Sequence, residues 1–298
     1  MAKRPKKIRP LLTEPLWVQW ALITLAMAFV AVFLIVPLLT VFHGAFQKGF
    51  GYFENTLRDP DTLSALGLTL KTASVAVTLN MIFGVTAAWA LAKFEFPGRR
   101  FLLTLIDLPF TVSPVVSGLI FVLLFGAQGV LGPWLIRHDI KIIFAVPAII
   151  LTTIFVTFPY VARELIPLME SQGNEQEEAA LTLGAGGWRT FFSVTLPNIR
   201  WGLIYGVILL NARAMGEFGA VSVVSGHVRG FTNTLPLQVE VLYNEYNLVG
   251  AFSVASLLTL LALATLVGKA YVKYRSRLER AQVLVKGQDL GGPYGYSD

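Results

Sequence analysis

The sequence has no cysteine, three histidines and little charge, and each shortage closes off a class of function. Without cysteine in its 298 residues there is no disulfide, no thiolate metal site and no thiol nucleophile. His43, His138 and His227 stand far apart, none with another His at ligand spacing. A zinc or iron centre is therefore not expected. No Gly-x-x-x-x-Gly-Lys-Ser/Thr string occurs, so if ATP powers this protein another chain binds it. Charged residues make up only 14% of the chain, against about 25% in soluble domains.

What is there instead is apolar. Hydrophobic residues form 55% of the chain and the mean hydropathy is +0.64. That is the composition of a protein whose solvent is lipid. The net charge of +6 is not a nucleic-acid signal, because where the basic residues sit says more than their sum.

A membrane-crossing helix needs about 20 mostly apolar residues. The stretches 17–42, 66–92, 101–125, 142–161, 199–224 and 248–272 meet that condition. They predict an all-α membrane protein with six transmembrane helices. The first has a basic start, Lys3-Arg4-Pro5-Lys6-Lys7, as a secretory signal would. Its apolar run exceeds the roughly 7–15 residues of a signal core, and no clear small-x-small site follows, so it reads as an uncleaved helix. The fifth is the least apolar, containing Asn211, Arg213 and Glu217.

Lys and Arg in short loops set orientation. One side carries Lys3, Arg4, Lys6, Lys7, Arg9, Lys93, Arg99, Arg100, Arg163, Arg189, Arg200, Lys269, Lys273, Arg275, Arg277, Arg280 and Lys286. The other carries Lys48, Arg58, Lys71, Arg137, Lys141 and Arg229. The asymmetry puts both termini and segment 171–197 in the cytoplasm. The chain then divides into a cytoplasmic tail (1–16), a six-helix membrane domain (17–274) and a second cytoplasmic tail (275–298). Residues 287–298, rich in Gly and Tyr, read as loose. The outer connections 50–63 and 226–247 are turn-rich. They suit either an extracytoplasmic partner or plain solvation.

Segment 171–197 interrupts the apolar pattern. Gly173 ends what precedes it, and Asn174 is placed as an N-cap. Glu175, Glu177 and Glu178 occupy a first turn, where acidic groups favour the positive end of the helix dipole. Ala179, Ala180, Leu181 and Leu183 supply a compact helix, and Gly184, Gly186 and Gly187 end it. Its small side chains let another backbone approach closely. Pro197 falls near the start of the fifth span, where proline is tolerated.

Polar groups inside the spans need partners. Arg213 reads as mid-span, a costly place for a charge, and Glu217 lies at i+4 on the same face. Gly216 and Gly219 allow close helix contact. Asp107 is deep enough to require a partner, whereas Lys71 sits where it can snorkel. Pro109, Pro114 and Pro159 interrupt the third and fourth spans and free carbonyls that neighbouring helices or a wet path must satisfy. Ser113-Pro114-Val115-Val116-Ser117-Gly118 is therefore a candidate lining or gate, with a plain kink as the alternative.

Two strings carry a family resemblance. Glu178-Ala179-Ala180, with Gly184, Leu196 and Pro197, resembles the EAA coupling loop of ABC-importer permeases. Ala212-Arg213-Ala214-Met215-Gly216-Glu217-Phe218-Gly219-Ala220 resembles a signature of sulfate and molybdate permeases. With Phe96-Pro97-Gly98-Arg99 and Val194-Thr195-Leu196-Pro197-Asn198-Ile199-Arg200-Trp201, the chain is similar to the sulfate/thiosulfate ABC-importer permease family, CysW-type. The resemblance implies a type I ABC-importer permease fold in a bacterial inner membrane. It implies Glu178, Ala179, Ala180, Leu183, Gly184, Leu196 and Pro197 as the ATPase-coupling residues. It implies a heterodimer with a CysT/CysU-type permease, two CysA-type ATPase subunits carrying ATP and Mg, and an extracytoplasmic sulfate/thiosulfate-binding protein. No cofactor or catalytic residue is then expected on this chain; hydrolysis would belong to the assembled complex. Arg213 and Glu217 either line an oxyanion path or form an ion pair that locks packing. The second is preferred, because a deep anion site slows release. The alternatives are a molybdate or tungstate permease, or an ion-coupled transporter using Asp107, Arg213 and Glu217 as a relay.

Overall fold

The computed structural model describes residues 15–290, with side chains through residue 275. The basic N-terminal cluster and residues 291–298 lie outside the described residues. Among the described residues all regular structure is helical. The long elements are α1 (Leu16–Ala45), α3 (Pro60–Lys93), α7 (Val146–Gln172), α9 (Gly187–Met215) and α12 (Leu248–Leu290). Between them lie α2 (Phe50–Arg58), α4 (Arg99–Thr111), α5 (Pro114–Phe125), α6 (Gly132–Arg137), α8 (Glu175–Thr182), α10 (Gly219–Val224) and α11 (Leu235–Asn244).

Local chemistry sets the boundaries. Asp59 starts α3: its carboxylate accepts from the amides of Asp61 at 3.1 Å and Thr62 at 3.3 Å, and Pro60 occupies the first turn. Down α3 the buried residues Ala73, Ala76, Asn80, Gly84, Ala88 and Leu91 form one helical stripe. α3 lays this stripe mainly against α7 and α9. A Cβ on Gly84 would come within 2.6 Å of the Val161 Cβ, so only glycine permits that crossing. The main core joins Leu91 of α3, Ile106 of α4, Leu165 and Met169 of α7, and Ile199 and Leu210 of α9.

Three expected spans take a different form. The third is not straight: α4 and α5 meet at 106°. Val112 and Ser113 are extended there, because the proline ring of Pro114 drives the preceding residue away from helical geometry. Counting that bent pair as one, six helices among the described residues are long and apolar enough to cross a membrane. The fourth continues well past 161 to Gln172, through a break at Phe158 and Pro159. Asn80 bridges the break, donating its amide to the Ile154 carbonyl at 3.0 Å and the Thr157 hydroxyl at 2.9 Å. The fifth is shifted: it begins at Gly187 and ends at Met215, and Gly219–Val224 forms the separate α10. Arg213 is thus in the last turn of α9 rather than mid-span. At the far end, α12 runs to Leu290, so residues 287–290 are helical rather than loose.

Pro37 and Pro197 are both accommodated inside helices. Each follows a π-helical stretch, Ala31–Ile35 and Phe191–Thr195. Proline lacks an N–H and its ring collides with the carbonyl four residues back. The wider π turn relieves that collision without ending the helix.

Candidate functional site: the segment between the fourth and fifth spans

α8 is a bounded helix, as the sequence predicts, with its caps distributed differently. Asn174 stands at the N-cap but its side chain makes no capping bond. The C-terminus is closed by a Schellman pair. The Ala185 amide donates to the Ala180 carbonyl at 3.0 Å and the Gly184 amide to the Leu181 carbonyl at 2.9 Å. That geometry needs a left-handed residue at 184, and Gly184 has φ +85°. Gly187 begins α9 rather than ending α8.

No residue of α8 is buried. Glu178 and Ala179 face outward and Ala180 is half-buried. Leu183 is 89% exposed and Trp188 73% exposed, with Leu181 and Phe192 also exposed. The rings of Trp188 and Phe192 stack with centroids 6.1 Å apart. These side chains give the segment an apolar rim. Leu183 is among the residues the sequence assigns to coupling, and Trp188 is not, its signal being its position just after the Gly186-Gly187 pair in a polar connection. Leu196 does something else: it packs against the main core, while Pro197 is exposed on α9.

The segment is held to the bundle by polar ties. Lys93, the last residue of α3, pairs with Glu177 of α8 at 3.2 Å and donates to the Gly173 carbonyl at the end of α7. Glu177 also accepts from the Thr195 hydroxyl at 3.1 Å. Gln176 accepts from the Asn198 amide at 2.5 Å, and Gln172 donates to the Asn198 carbonyl at 3.2 Å. Nearby, Arg99 donates to the Leu91 carbonyl at 2.7 Å and pairs with Glu170 at 2.6 Å.

Deeper in the bundle the structure brings Arg213 and Glu217 together at 2.6 Å. Glu217 lies beyond the end of α9, so the pair closes across the turn at Gly216 rather than along one helix face. The other Glu217 carboxylate oxygen accepts from the Ala220 amide at 2.9 Å, which caps α10. Glu217 is 2% exposed, surrounded by Thr69, Thr72, Thr153, Thr234 and Val221. Gly219 sits tightly: a Cβ there would lie 3.0 Å from the Pro114 Cβ, whereas one on Gly216 would meet only the Ala212 carbonyl at 3.6 Å. Gly118 is tighter than either, for its Cβ would stand 2.7 Å from the Ala220 carbonyl. Ser117 is buried and donates to the Ser113 carbonyl at 3.2 Å, with Ser113 itself exposed. Asp107 finds its partner in Arg163, at 3.0 Å, and takes no part in the Arg213–Glu217 pair. Lys71 is exposed on α3. Among the described residues no group of three or more His, Asp or Glu is arranged to hold a metal ion.

Set beside known proteins, residues 80–278 match the family described as "Binding-protein-dependent transport system inner membrane component". The sulfate transport system permease protein CysW of Escherichia coli (strain K12) is 52% identical over 268 residues, covering 89% of this chain and 92% of that protein. The sulfate transport system permease protein CysT of the same organism is 35% identical, covering 78% of this chain and 84% of that protein. A crystal structure of a bacterial ABC transporter involved in import of the acidic polysaccharide alginate superposes with a TM-score of 0.73 at 17% identity, over 88% of this chain and 95% of that one. That likeness concerns the fold alone.

Proposed function

The chain belongs to the family of binding-protein-dependent transport system inner membrane components, and from that premise we propose that it is the CysW-type permease subunit of an ATP-driven sulfate/thiosulfate importer. The substrate class rests on the 52% identity to a sulfate permease over nearly the whole of both chains. The mode of powering rests on α8. It is a short helix, closed at Gly184, that buries no residue of its own, and Leu183 at its end and Trp188 at the start of α9 point outward beside it. An apolar rim on a polar segment suits a protein partner, and an ATPase is the partner the family's loop engages.

In this reading α8 and both termini face the cytoplasm of a bacterial inner membrane, in keeping with the basic-residue asymmetry. A CysT-type permease completes the membrane pore. The similarity of this chain to both CysW and CysT suits two related halves around one path. Two ATPase subunits bind ATP and Mg, and an extracytoplasmic binding protein delivers the anion. Closure of the ATPases moves α8, the spans re-orient, and the anion is released inward. No residue of this chain does chemistry. Arg213 and Glu217 serve packing: their charges neutralise each other at 2.6 Å, which leaves little field to attract a dianion.

The test is uptake of labelled sulfate into proteoliposomes holding the full complex. ATP-dependent uptake that sulfate and thiosulfate compete away better than molybdate or tungstate supports the proposal. Preferential competition by molybdate or tungstate would reassign the substrate. Uptake driven by an ion gradient without the ATPase would overturn the mechanism.

A further inference from the structure

α8 buries none of its own residues, so a displacement of α8 reaches the spans chiefly through its chain ends and its polar ties. One tie differs in kind from the rest. The side chains of Lys93 and Glu177 are 6% and 16% exposed, while the nearby Arg99–Glu170 and Arg163–Asp107 pairs are at least a third exposed on every partner. Water screens those pairs and little of it reaches Lys93.

The pair also joins four elements at one point. The Lys93 ammonium sits at the end of α3. It donates to the Gly173 carbonyl at the end of α7, where a cation complements the negative end of the helix dipole. It pairs with Glu177 in the first turn of α8, where a carboxylate complements the positive end. Glu177 holds Thr195, buried in the π-helical stretch of α9. Severing either charge leaves its partner shielded from water and uncompensated, the costly way to break such a pair.

We infer that Lys93 and Glu177 are positioning residues that make α8 move as one body with the ends of the second, fourth and fifth spans, so that ATPase motion reaches the membrane. Thr195 extends the strut into α9. This rests on the proposed powering by an ATPase and goes beyond it by naming the route of transmission inside this chain. The Glu-Ala-Ala string contributes Glu178, which faces outward; the strut uses the residue before it.

The experiment compares anion uptake per ATP hydrolysed in proteoliposomes holding the full complex, for Lys93→Met and Lys93→Arg. Arginine keeps a cation that donates to both Gly173 and Glu177. Lys93→Met is expected to lower uptake per ATP about ten-fold, within the range of ordinary coupling between sites, and Lys93→Arg to recover most of it. A purely structural role predicts lower thermal stability with an unchanged ratio in the complexes that survive. An unchanged ratio in Lys93→Met therefore overturns the inference. If Lys93→Met does not assemble, the milder Thr195→Val and Glu177→Gln decide: a reduced ratio supports the strut and a wild-type ratio sinks it. Absence of ATP-driven uptake in the unaltered complex would instead remove the proposed function on which the strut rests.

Discussion

At Gly184 the requirement is backbone shape, not space. A Cβ there meets nothing within 4 Å, yet φ is +85°. Gly184→Val must hold a β-branched residue in the left-handed region, at about 1–2 kcal/mol or more. Gly184→Asn, whose side chain tolerates that region, should cost much less. The expected outcome is weak ATPase co-purification and poor uptake for valine, with near wild-type behaviour for asparagine; equal defects would show that bulk matters instead. Arg213 poses a different problem. Arg213→Ala leaves the Glu217 carboxylate, 2% exposed, without its ion partner, worth about 1–3 kcal/mol. Glu217→Gln is milder, since the amide oxygen still accepts from Ala220 and the half-buried Arg213 reaches water. The double variant should assemble better than Arg213→Ala alone, read as the yield of intact complex. A double variant that assembles normally but does not transport would assign Arg213 to the anion path.

Between helices, the crossings depend on what fills the gaps that proline and glycine leave. Asn80 satisfies carbonyl and hydroxyl groups at the α7 break. Asn80→Leu keeps the branching at Cγ, is bulkier, and removes both donors. A loss of about 1 kcal/mol, the scale of polar contacts between membrane helices, should appear as a lower Tm of the purified complex. An unchanged Tm would mean that the break is satisfied elsewhere. Gly118 is the opposite case. Gly118→Leu drives side-chain atoms into the Ala220 carbonyl and Val223, an overpacking of about 1–3 kcal/mol. It should separate α5 from α10 and shift Glu217, so cross-linking between cysteines placed on α5 and α10 should fall.

Across the molecule, the apolar surface is unevenly covered. None of the residues from Leu16 to Ile35 is buried. α1 reaches the rest of the chain through its second half, which packs on α12. α5 likewise presents Val115, Val116, Leu119, Ile120 and Leu123 outward. Lipid or a second permease subunit must cover these faces. The chain expressed alone is expected to aggregate on detergent extraction and to become monodisperse when co-expressed with a CysT-type partner, as read by size-exclusion chromatography. A stable lone chain would argue against the heterodimer.

The apolar runs by themselves determined a helical membrane protein and the approximate place of its spans, because length and hydropathy are local properties that lipid reads directly. The Glu-Ala-Ala string and Gly184 marked α8 for a related reason: a left-handed C-terminal residue is a demand of the local backbone. Where packing decides, local reading stopped. That Asp107 meets Arg163 and that Asn80 reaches across to the break at Phe158 depend on neighbours far away in sequence; Pro114 marked the interruption of the third span but left its angle of 106° open. Lys93 shows the division most plainly. In the sequence it is one basic residue among several at a span end. Only the tertiary structure places its ammonium between the end of α7 and the first turn of α8, because two helix termini of opposite dipole meet there.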